Sequence, residues 1–453
     1  GHRGPLLLHL LENTGGLALG HAPTNFKGHI TLTRSRPGDT WEWGIRMSVR
    51  DWLDERMLMG VKKDLKRCKK LLNELGDPHL KFKSIHVAGS NGKGSVCVQL
   101  SAAARASGKK VGLFTSPHLV TVEERIRIDG EPIPREKFDK FLRRVRKVAE
   151  KKPEYTPTYF ETTFLVAMLA FEEYEVDRGI IETGMGGEWD ATKLVDADLC
   201  ILTTVSMEHR EYLAPNGTLV EIAEQKAAIH RSKVSLFALQ HDDPQVRRTI
   251  EDTAGDDLSW LPKNQADPTW SSHSVMVEAA AAHLGWEVSM GDCIWPGRSP
   301  GYGRDWVEGV VTRLSAAHNA ESLANDLAEV DRRSVVLLGL SQKADLRETL
   351  EPVVTEICKG DKFPRLVLTE TKSGRNPAVS VEELSLMMES MGLGNIPKAV
   401  ERNPGKAFEM AGEMAREFEC ELLVIGSVYL IGDLLGYVVD RDGLNLWDEL
   451  TVH

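Results

Sequence analysis

Cysteine is scarce in this chain. Its 453 residues include only six cysteines, at scattered positions, and no two of them form a Cys-x-x-Cys pair. Secreted disulfide scaffolds and zinc ribbons both need closely spaced cysteines, so neither class of protein is expected. The cysteines instead predict reduced, mostly buried thiols, as in a protein of the cytoplasm.

Long apolar runs are also lacking. The longest, from Leu422 to Val439, is interrupted by Gly426, Gly432 and Asp433, so we expect no transmembrane helix and no membrane partner. The short apolar stretch at residues 6–11 follows a single arginine, so it indicates a secretory signal only weakly.

Positive charge is in deficit. The chain has 56 Lys and Arg against 67 Asp and Glu, a formal net charge of −11, which argues against bulk binding of nucleic acid. A hydrophobic fraction of 42% and a charged fraction of 27% are those of a soluble globular protein. At this length two domains are expected, each able to bury its own core.

What the chain does contain is a glycine-rich turn between a strand and a helix. Ile85–Ala88 is apolar and partly β-branched, as in a buried strand, and Val96–Ala106 has the composition of a helix. Glycines in such a turn let backbone N–H groups approach phosphate oxygens, and the helix N-terminus adds partial positive charge. Lys93 would then meet the β- and γ-phosphates, and the Ser95 hydroxyl would bind Mg²⁺. The predicted ATP-binding residues of the turn are Gly89, Ser90, Asn91, Gly92, Lys93, Gly94 and Ser95.

This turn departs from the usual G-x-x-x-x-G-K-[ST] pattern at two positions. Val87 stands where the first glycine belongs, and Gly94 separates Lys93 from Ser95. An ordinary glycine-rich turn that binds no nucleotide therefore stays an alternative for this stretch taken alone.

Two more predicted strands end in residues suited to a metal ion. Arg178–Ile181 leads to Glu182, and Leu199–Val205 leads within a few residues to His209. Ligands of α/β sheets bind at the carboxyl ends of the strands, and a carboxylate there is a natural ligand for Mg²⁺. We therefore predict that Glu182 and His209 are metal ligands.

A third candidate lies on a helix. The pattern predicts a helix over Thr218–Arg231, in which Leu219, Ile222 and Ile229 share one face with Lys226. A surface lysine would normally lie on the opposite face, although its long side chain could also reach solvent from the apolar side. The pattern thus favours an inward-facing Lys226.

A series of motifs resembles, in order, those of the folylpolyglutamate synthase / dihydrofolate synthase family, within the Mur ligase superfamily. They are H-V-A-G-S-N-G-K-G-S, T-S-P-H-L with E-R-I-R-I-D-G, E-T-G-M-G-G, the His and Lys described above, P-G-R, A-H-N and V-I-G-S-V-Y-L-I-G. The resemblance covers about residues 47–435. It implies an α/β protein in which a P-loop-type parallel-sheet ATPase domain is followed by a smaller Rossmann-like α/β domain. With the Gly- and Pro-rich stretch 291–304 as the linker, the expected segments are a poorly structured extension at 1–46, the ATP-binding domain at 47–296 and the ligase domain at 297–453.

The resemblance also implies a reaction. An ATP-dependent carboxylate–amine ligase would add L-glutamate to a folate, to dihydropteroate or to both, through an acyl phosphate, in a cytoplasmic monomer. Lys226 is expected to be a carbamate, whose oxygens suit Mg²⁺ better than an ammonium would. The residues that the resemblance assigns are, for catalysis, Lys93, His209, Lys226 and His318; for ATP beyond the turn, Arg298, His318 and Asn319; for the metal ion, Ser95, Glu182, His209 and Lys226; and for folate, Thr115, Ser116, Pro117, His118 and Arg125.

The chain also departs from the family pattern. Glu188 replaces an Arg, Lys193 an Asn, Glu208 an Asp and Ser315 an Asp expected near the nucleotide, and the segment before the helix at 275–284 lacks an expected Asn. Two alternatives therefore stay open: a Mur-type ligase acting on a different acid, and a nucleotide-binding homologue that has lost catalysis. The sequence does not separate dihydropteroate from reduced folates as the acceptor.

Overall fold

The computed structural model describes residues 29–33, 42–60, 62–151, 153–263, 273–286, 293–299, 301–394 and 398–452. The chain divides into two units, Gly1–Arg56 and Met57–His453. In the first unit, β1 (His29–Thr33) and β2 (Glu42–Arg46) form an antiparallel pair. The helix α1 (Val49–Asp54) follows, and its N-terminus is capped by the side chain of Ser48. The extension predicted at 1–46 thus contains one strand pair, and the predicted segment limits stay predictions.

A large sheet occupies the N-terminal part of the second unit. Its strands are β3 (Lys83–Ala88), β4 (Val111–Phe114), β5 (Ile126–Ile128), β6 (Glu131–Pro132), β7 (Arg178–Glu182), β8 (Ala197–Leu202), β9 (Ser235–Leu239) and β10 (Leu258–Leu261). Their order is β10-β9-β8-β3-β7-β4-β5-β6, parallel from β10 to β4 and antiparallel at β5 and β6. Because β3 lies between β7 and β8, the glycine-rich turn is next to both of the other predicted ligand strands.

Helices alternate with these strands. They are α2 (Lys66–Glu74), α3 (Lys93–Ala106), α4 (Arg135–Ala149), α5 (Tyr159–Glu173), α6 (Arg210–Leu213), α7 (Leu219–Ala227), α8 (Pro244–Ala254) and α9 (Ser274–Leu284). The α3 helix has apolar or small residues on most of its faces and is buried almost throughout, in one core cluster with β3 and α9. It begins at Lys93, three residues earlier than the composition predicted, so the predicted phosphate and metal residues lie in its first turn.

A second, smaller sheet follows within the same unit. Its five strands, in the order β11-β15-β12-β13-β14, are all parallel: β11 (Thr312–Leu314), β12 (Ser334–Leu338), β13 (Arg365–Leu368), β14 (Lys398–Val400) and β15 (Glu421–Ile425). Its helices are α10 (Ala320–Ala328), α11 (Leu346–Cys358), α12 (Val381–Ser390), α13 (Pro404–Glu417), α14 (Val428–Asp442) and α15 (Leu446–Glu449). The predicted fold class, a P-loop-type parallel sheet followed by a smaller Rossmann-like sheet, is confirmed.

The last residues of the chain pack against the antiparallel edge of the large sheet. The amide of Val452 donates to the carbonyl of Gly130 at 3.0 Å, and the buried guanidinium of Arg127 donates to the carbonyl of Leu450 at 3.1 Å. Leu450 also belongs to an apolar cluster that α14 shares with Leu119. These contacts join the two sheets of the second unit. Within the described ranges, no helix has both the length and the apolar character needed to cross a bilayer.

Candidate functional site

The glycine-rich turn is held tightly by the segment that follows β8. Thr203 donates its hydroxyl to the carbonyl of Asn91 at 2.7 Å, and the amide of Ser90 donates to the carbonyl of Thr204 at 2.7 Å. Gly89 has a φ of +145°, and a Cβ placed there would lie 1.8 Å from the Thr203 hydroxyl oxygen. Close backbone approach as well as conformation therefore requires glycine at this position.

The side chain of Lys93 contacts the backbone of this turn. Its Nζ donates to the carbonyls of Gly89 and Ser90 at 2.9 and 3.0 Å. The lysine is also the first residue of α3, where backbone N–H groups are unpaired by the helix and attract anions. A phosphate group at this position would meet both the ammonium and the helix N-terminus, as the motif predicts.

Glu182 brings a buried carboxylate to the same place. It ends β7 beside Val87 of β3, is 4% exposed, and accepts one hydrogen bond from the amide of Ser116 at 2.8 Å. A Cβ at Gly94 would lie 3.4 Å from its Oε2 atom. Burial raises the pKa of Glu182, while Lys93 and nearby arginines act in the opposite direction. A buried carboxylate beside a phosphate-binding turn fits a divalent cation.

Lys226 is buried, as its helix face predicted. Its Nζ lies 2.5 Å from Oε1 of Glu208 and 2.7 Å from the carbonyl of Gly89, and the residue is 1% exposed. Burial lowers the pKa of Lys226 to about 8, although Glu208 acts in the opposite direction. Glu208, noted from the sequence only as a replacement for Asp, is thus the ion-pair partner of Lys226.

The other two predicted metal ligands are His209 and Ser95. His209 is the N-cap residue of α6, with a left-handed φ of 45°, and it is exposed. Ser95 is partly buried in the first turn of α3. Within the part of the chain that the structure describes, no three His, Cys, Asp or Glu side chains form a metal-binding group. The ligand set of Ser95, Glu182, His209 and Lys226 therefore stays a prediction.

Residues of the second sheet reach the glycine-rich turn. The side chain of Asn319 caps α10 and donates through Nδ2 to Oδ1 of Asn91 at 2.8 Å, and Asn91 donates in turn to Glu321 at 2.7 Å. His318 lies next to this contact, with Nδ1 3.0 Å from the carbonyl oxygen of Ala316. The structure thus places two of the three residues predicted to bind ATP beyond the turn, Asn319 and His318, at or beside the turn.

The third of these residues, Arg298, lies beside Trp295. The guanidinium of Arg298 stacks 4.6 Å from the ring centre of Trp295, and that ring blocks the space where Gly94 would carry a Cβ. His273 similarly fills the space beside Gly92. The segment that the sequence showed to lack an Asn runs from 270 to 274, and its first three residues lie outside the described residues. Trp295 and His273 were both missed from the sequence, because nothing local marks them as neighbours of the turn.

The predicted folate loop borders Glu182. It contains a cis Ser116–Pro117 peptide bond, and its following backbone amides, those of Leu119, Val120 and Thr121, all donate to the carboxylate of Glu124. Arg125 donates to Nδ1 of His118 at 3.0 Å. The sequence did contain a signal for the role of Glu124, since T-x-x-E is a capping box.

A second structural carboxylate was also missed. Asp190 accepts from the amides of Gly184 and Met185, both at 2.9 Å, and from the amide of Thr192 at 3.0 Å. It therefore holds the glycine-rich segment that follows Glu182. Burial raises the pKa of Asp190, and these hydrogen bonds act in the opposite direction.

A carboxylate does lie where the sequence showed Ser315 in place of an expected Asp. The Ser315 hydroxyl donates to Oδ2 of Asp326 in α10 at 2.5 Å and accepts from the amide of Ala317 at 3.2 Å. Burial raises the pKa of Asp326 to about 6. A carboxylate is therefore present beside position 315, although it belongs to a residue of the neighbouring helix.

Comparison with known proteins agrees with the motifs. Residues 87–284 match the Mur ligase middle domain. The dihydrofolate synthase/folylpolyglutamate synthase of Bacillus subtilis is 37% identical over 192 residues, 42% of this chain and 44% of that protein. The folylpolyglutamate synthase of Arabidopsis thaliana is 39% identical over 191 residues, 41% of this chain and 33% of that protein. The matched region thus spans less than half the length of these curated relatives.

Solved structures share most of the architecture. The folylpolyglutamate synthase of Thermotoga maritima aligns with a TM-score of 0.71 at 23% identity, over 88% of this chain and 99% of that chain. The Mycobacterium tuberculosis folylpolyglutamate synthase complexed with ADP aligns with a TM-score of 0.73 at 24% identity, over 86% and 97%. The resemblance stated from the motifs is confirmed, and the fold extends it over both sheets.

We predict that Ser315→Asp destabilises the protein, because it sets a second carboxylate beside Asp326. Two close carboxylates cannot both ionise cheaply, so we expect a loss of about 2 kcal/mol in the free energy of unfolding near pH 7. The loss should shrink below about pH 6, where one proton can be shared between the two groups. Urea denaturation at several pH values measures it, with Ser232→Asp on the exposed surface as the control.

The exchange variant Ser315→Asp/Asp326→Ser should recover most of this stability, because it restores one hydroxyl and one carboxylate. If Ser315→Asp alone unfolds at the same urea concentration as the wild type, the two side chains are not neighbours in solution.

Proposed function

We propose that this chain is an ATP-dependent carboxylate–amine ligase of the folylpolyglutamate synthase / dihydrofolate synthase type. It adds L-glutamate to a folate, to dihydropteroate or to both. The observation that carries the proposal is the position of Glu182, whose buried carboxylate borders the phosphate-binding turn and also accepts a hydrogen bond from Ser116 of the predicted folate loop. Nucleotide and acid substrate would therefore meet at one carboxylate.

In the proposed reaction, a carboxylate oxygen of the acid substrate attacks the γ-phosphorus of ATP, and the bond to the bridging oxygen of ADP breaks. The amine of glutamate then attacks the carbonyl carbon of the acyl phosphate and expels phosphate, and the amine loses a proton. Lys93 and the N–H groups at the start of α3 hold and neutralise the phosphates. Arg298 and His318 are proposed to add to this charge stabilisation when the two sheets close on the nucleotide.

A divalent cation, when bound, would neutralise phosphate charge and orient the γ-phosphate. Ser95, Glu182 and His209, with a carbamate on Lys226, are the proposed ligands. A bifunctional folylpolyglutamate synthase/dihydrofolate synthase from Yersinia pestis, similar in structure, has been solved in complex with AMPPNP and a Mn ion. Another similar structure of such an enzyme has Mn, AMPPNP and L-glutamate bound. These complexes support ATP, a divalent metal and glutamate as partners. The predicted folate contacts are those of Thr115, Ser116, Pro117, His118 and Arg125.

Net charge and cysteine usage support two further proposals. A net charge of −11 supports small-molecule partners over nucleic acid, and unpaired cysteines support a cytoplasmic location. We propose a monomer that does not bind membranes.

ADP release with glutamate, measured separately with dihydropteroate and with tetrahydrofolate, decides which acceptor is used. Release with neither acceptor would contradict the proposal and favour a Mur-type ligase for another acid or a homologue without catalysis.

Lys93→Ala should lower ADP release by about 100-fold or more while the protein stays folded, because it removes the cation that meets the phosphates. Circular dichroism and the thermal midpoint check the fold. Lys109→Ala, an exposed lysine just beyond the other end of α3, is the matched control and should match the wild type. Wild-type turnover in folded Lys93→Ala would end the assignment of this turn to ATP.

Lys226→Ala should lose most activity, and acetate or formate should restore part of it by supplying the oxygens of the lost carbamate. The carbamate itself is measured by ¹³C NMR of protein equilibrated with ¹³CO₂ and Mg-nucleotide, where Lys226→Ala should lack one resonance. Acetate should not stimulate the wild type or Lys93→Ala. Full activity of Lys226→Ala without added carboxylate would refute this role.

A further inference from the structure

A backbone segment of the predicted folate loop lies directly on a glycine of α14. A Cβ placed at Gly432 would lie 2.0 Å from the carbonyl oxygen of Leu119, 2.7 Å from its carbonyl carbon and 3.2 Å from its Cα. Gly436, one turn later on the same helix, would place a Cβ in open space, with nothing within 4 Å. Since glycine inside a helix costs about 1 kcal/mol relative to alanine, contact with the loop is the physical reason for Gly432.

The side chain of Leu119 is enclosed on the same side. It is 4% exposed and packs in a cluster with residues of α14, among them Ile431 and Leu435. Gly297 has a φ of +69°, and a Cβ there would lie 2.8 Å from Cγ2 of Ile431 and 3.0 Å from Cδ1 of Leu119. We call Gly297, Ile431, Gly432 and Leu435 the Leu119 socket. Two glycines leave just enough room in it for one leucine.

The loop between this socket and Glu182 is short and tied at both ends. Ser116, three residues before Leu119, donates its amide to Glu182 at 2.8 Å. The amides of Leu119 and Thr121 are fixed by the carboxylate of Glu124 at 2.9 and 2.7 Å. A displacement of Leu119 would therefore be transmitted along three peptide bonds to the N–H group that Glu182 binds.

We propose that Gly432 is a positioning residue for the acid substrate: by admitting Leu119 to its socket, α14 of the second sheet holds the loop 115–121 against Glu182. The identity of that loop as the folate-binding one rests on the proposed function. The socket spans both sheets, so it couples their arrangement to the order of the loop. By linkage, the factor by which docking of α14 raises the affinity for the acid substrate equals the factor by which bound substrate favours the docked arrangement of α14.

The test compares Gly432→Ala with Gly436→Ala. Both replace a glycine of α14 with a better helix former, but only the first places a methyl group against the Leu119 carbonyl. In Gly432→Ala we expect KM for the folate acceptor to rise about tenfold or more, since small displacements of binding groups are costly. The Kd for ADP should change by less than about twofold, a split that general loss of structure would not produce. Gly436→Ala should match the wild type in both.

Amide hydrogen exchange provides a readout that does not depend on activity. The amides of residues 119–121 should exchange faster in Gly432→Ala than in Gly436→Ala, while those of β3 stay protected. Leu119→Ala empties the socket without a clash, and it should also speed exchange at residues 119–121 while β3 stays protected. This variant replaces Gly432→Ala in the test if Gly432→Ala does not fold. Unchanged exchange at 119–121 in these variants would overturn the positioning role, even if the ligase activity is confirmed. If the wild type uses no folate acceptor, the proposed function fails, and the exchange data still decide the role of Gly432.

Discussion

The site depends on one constraint, the parallel alignment of β3 with β7 on one side and β8 on the other. The register sets Val87 beside Glu182 and Ala88 beside Leu202, so three strands end at the same edge of the sheet. The phosphate-binding turn, the acidic strand end and the Thr203–Ser206 segment therefore share one small space. Since each strand is hydrogen-bonded along its length, the strand ends from which these groups extend are fixed relative to one another. The glycine at position 89 follows from this crowding.

Charge in the site is opposite in character to charge on the whole chain. The protein is acidic overall, yet Lys93, Arg125 and Arg298 all act on the buried carboxylate of Glu182. A low-dielectric pocket strengthens such interactions, so a few fixed cations can attract anionic phosphates despite a net charge of −11. Arg298, from the stretch that links the two sheets, stacks on Trp295, and Trp295 packs on the glycine-rich turn. Packing therefore decides where the cations lie.

Local patterns predicted the elements that carry the site. The apolar spacing of α7 correctly predicted that Lys226 is buried, because the period of the helix decides which face is buried. The alternation of strands and helices predicted both parallel sheets. Element ends were less accurate: α7 was predicted over 218–231 and ends at Ala227. The strand pair β1–β2 was missed, because two short alternating stretches, five residues each, resemble the polar segments around them.

The sequence by itself determined which side chains stand at strand ends and helix starts, since a hydrophobic period and a glycine-rich turn are local properties. Only the tertiary structure decided their partners. Glu208 pairs with Lys226, Asp326 supplies a carboxylate to Ser315, and Leu119 requires a glycine on α14. The physical reason is that hydrogen bonds and steric contacts act over a few ångströms, whereas these partners are separated by up to hundreds of residues. The contact of Leu119 with α14 is set by how the two sheets pack, which no periodic pattern along the chain encodes.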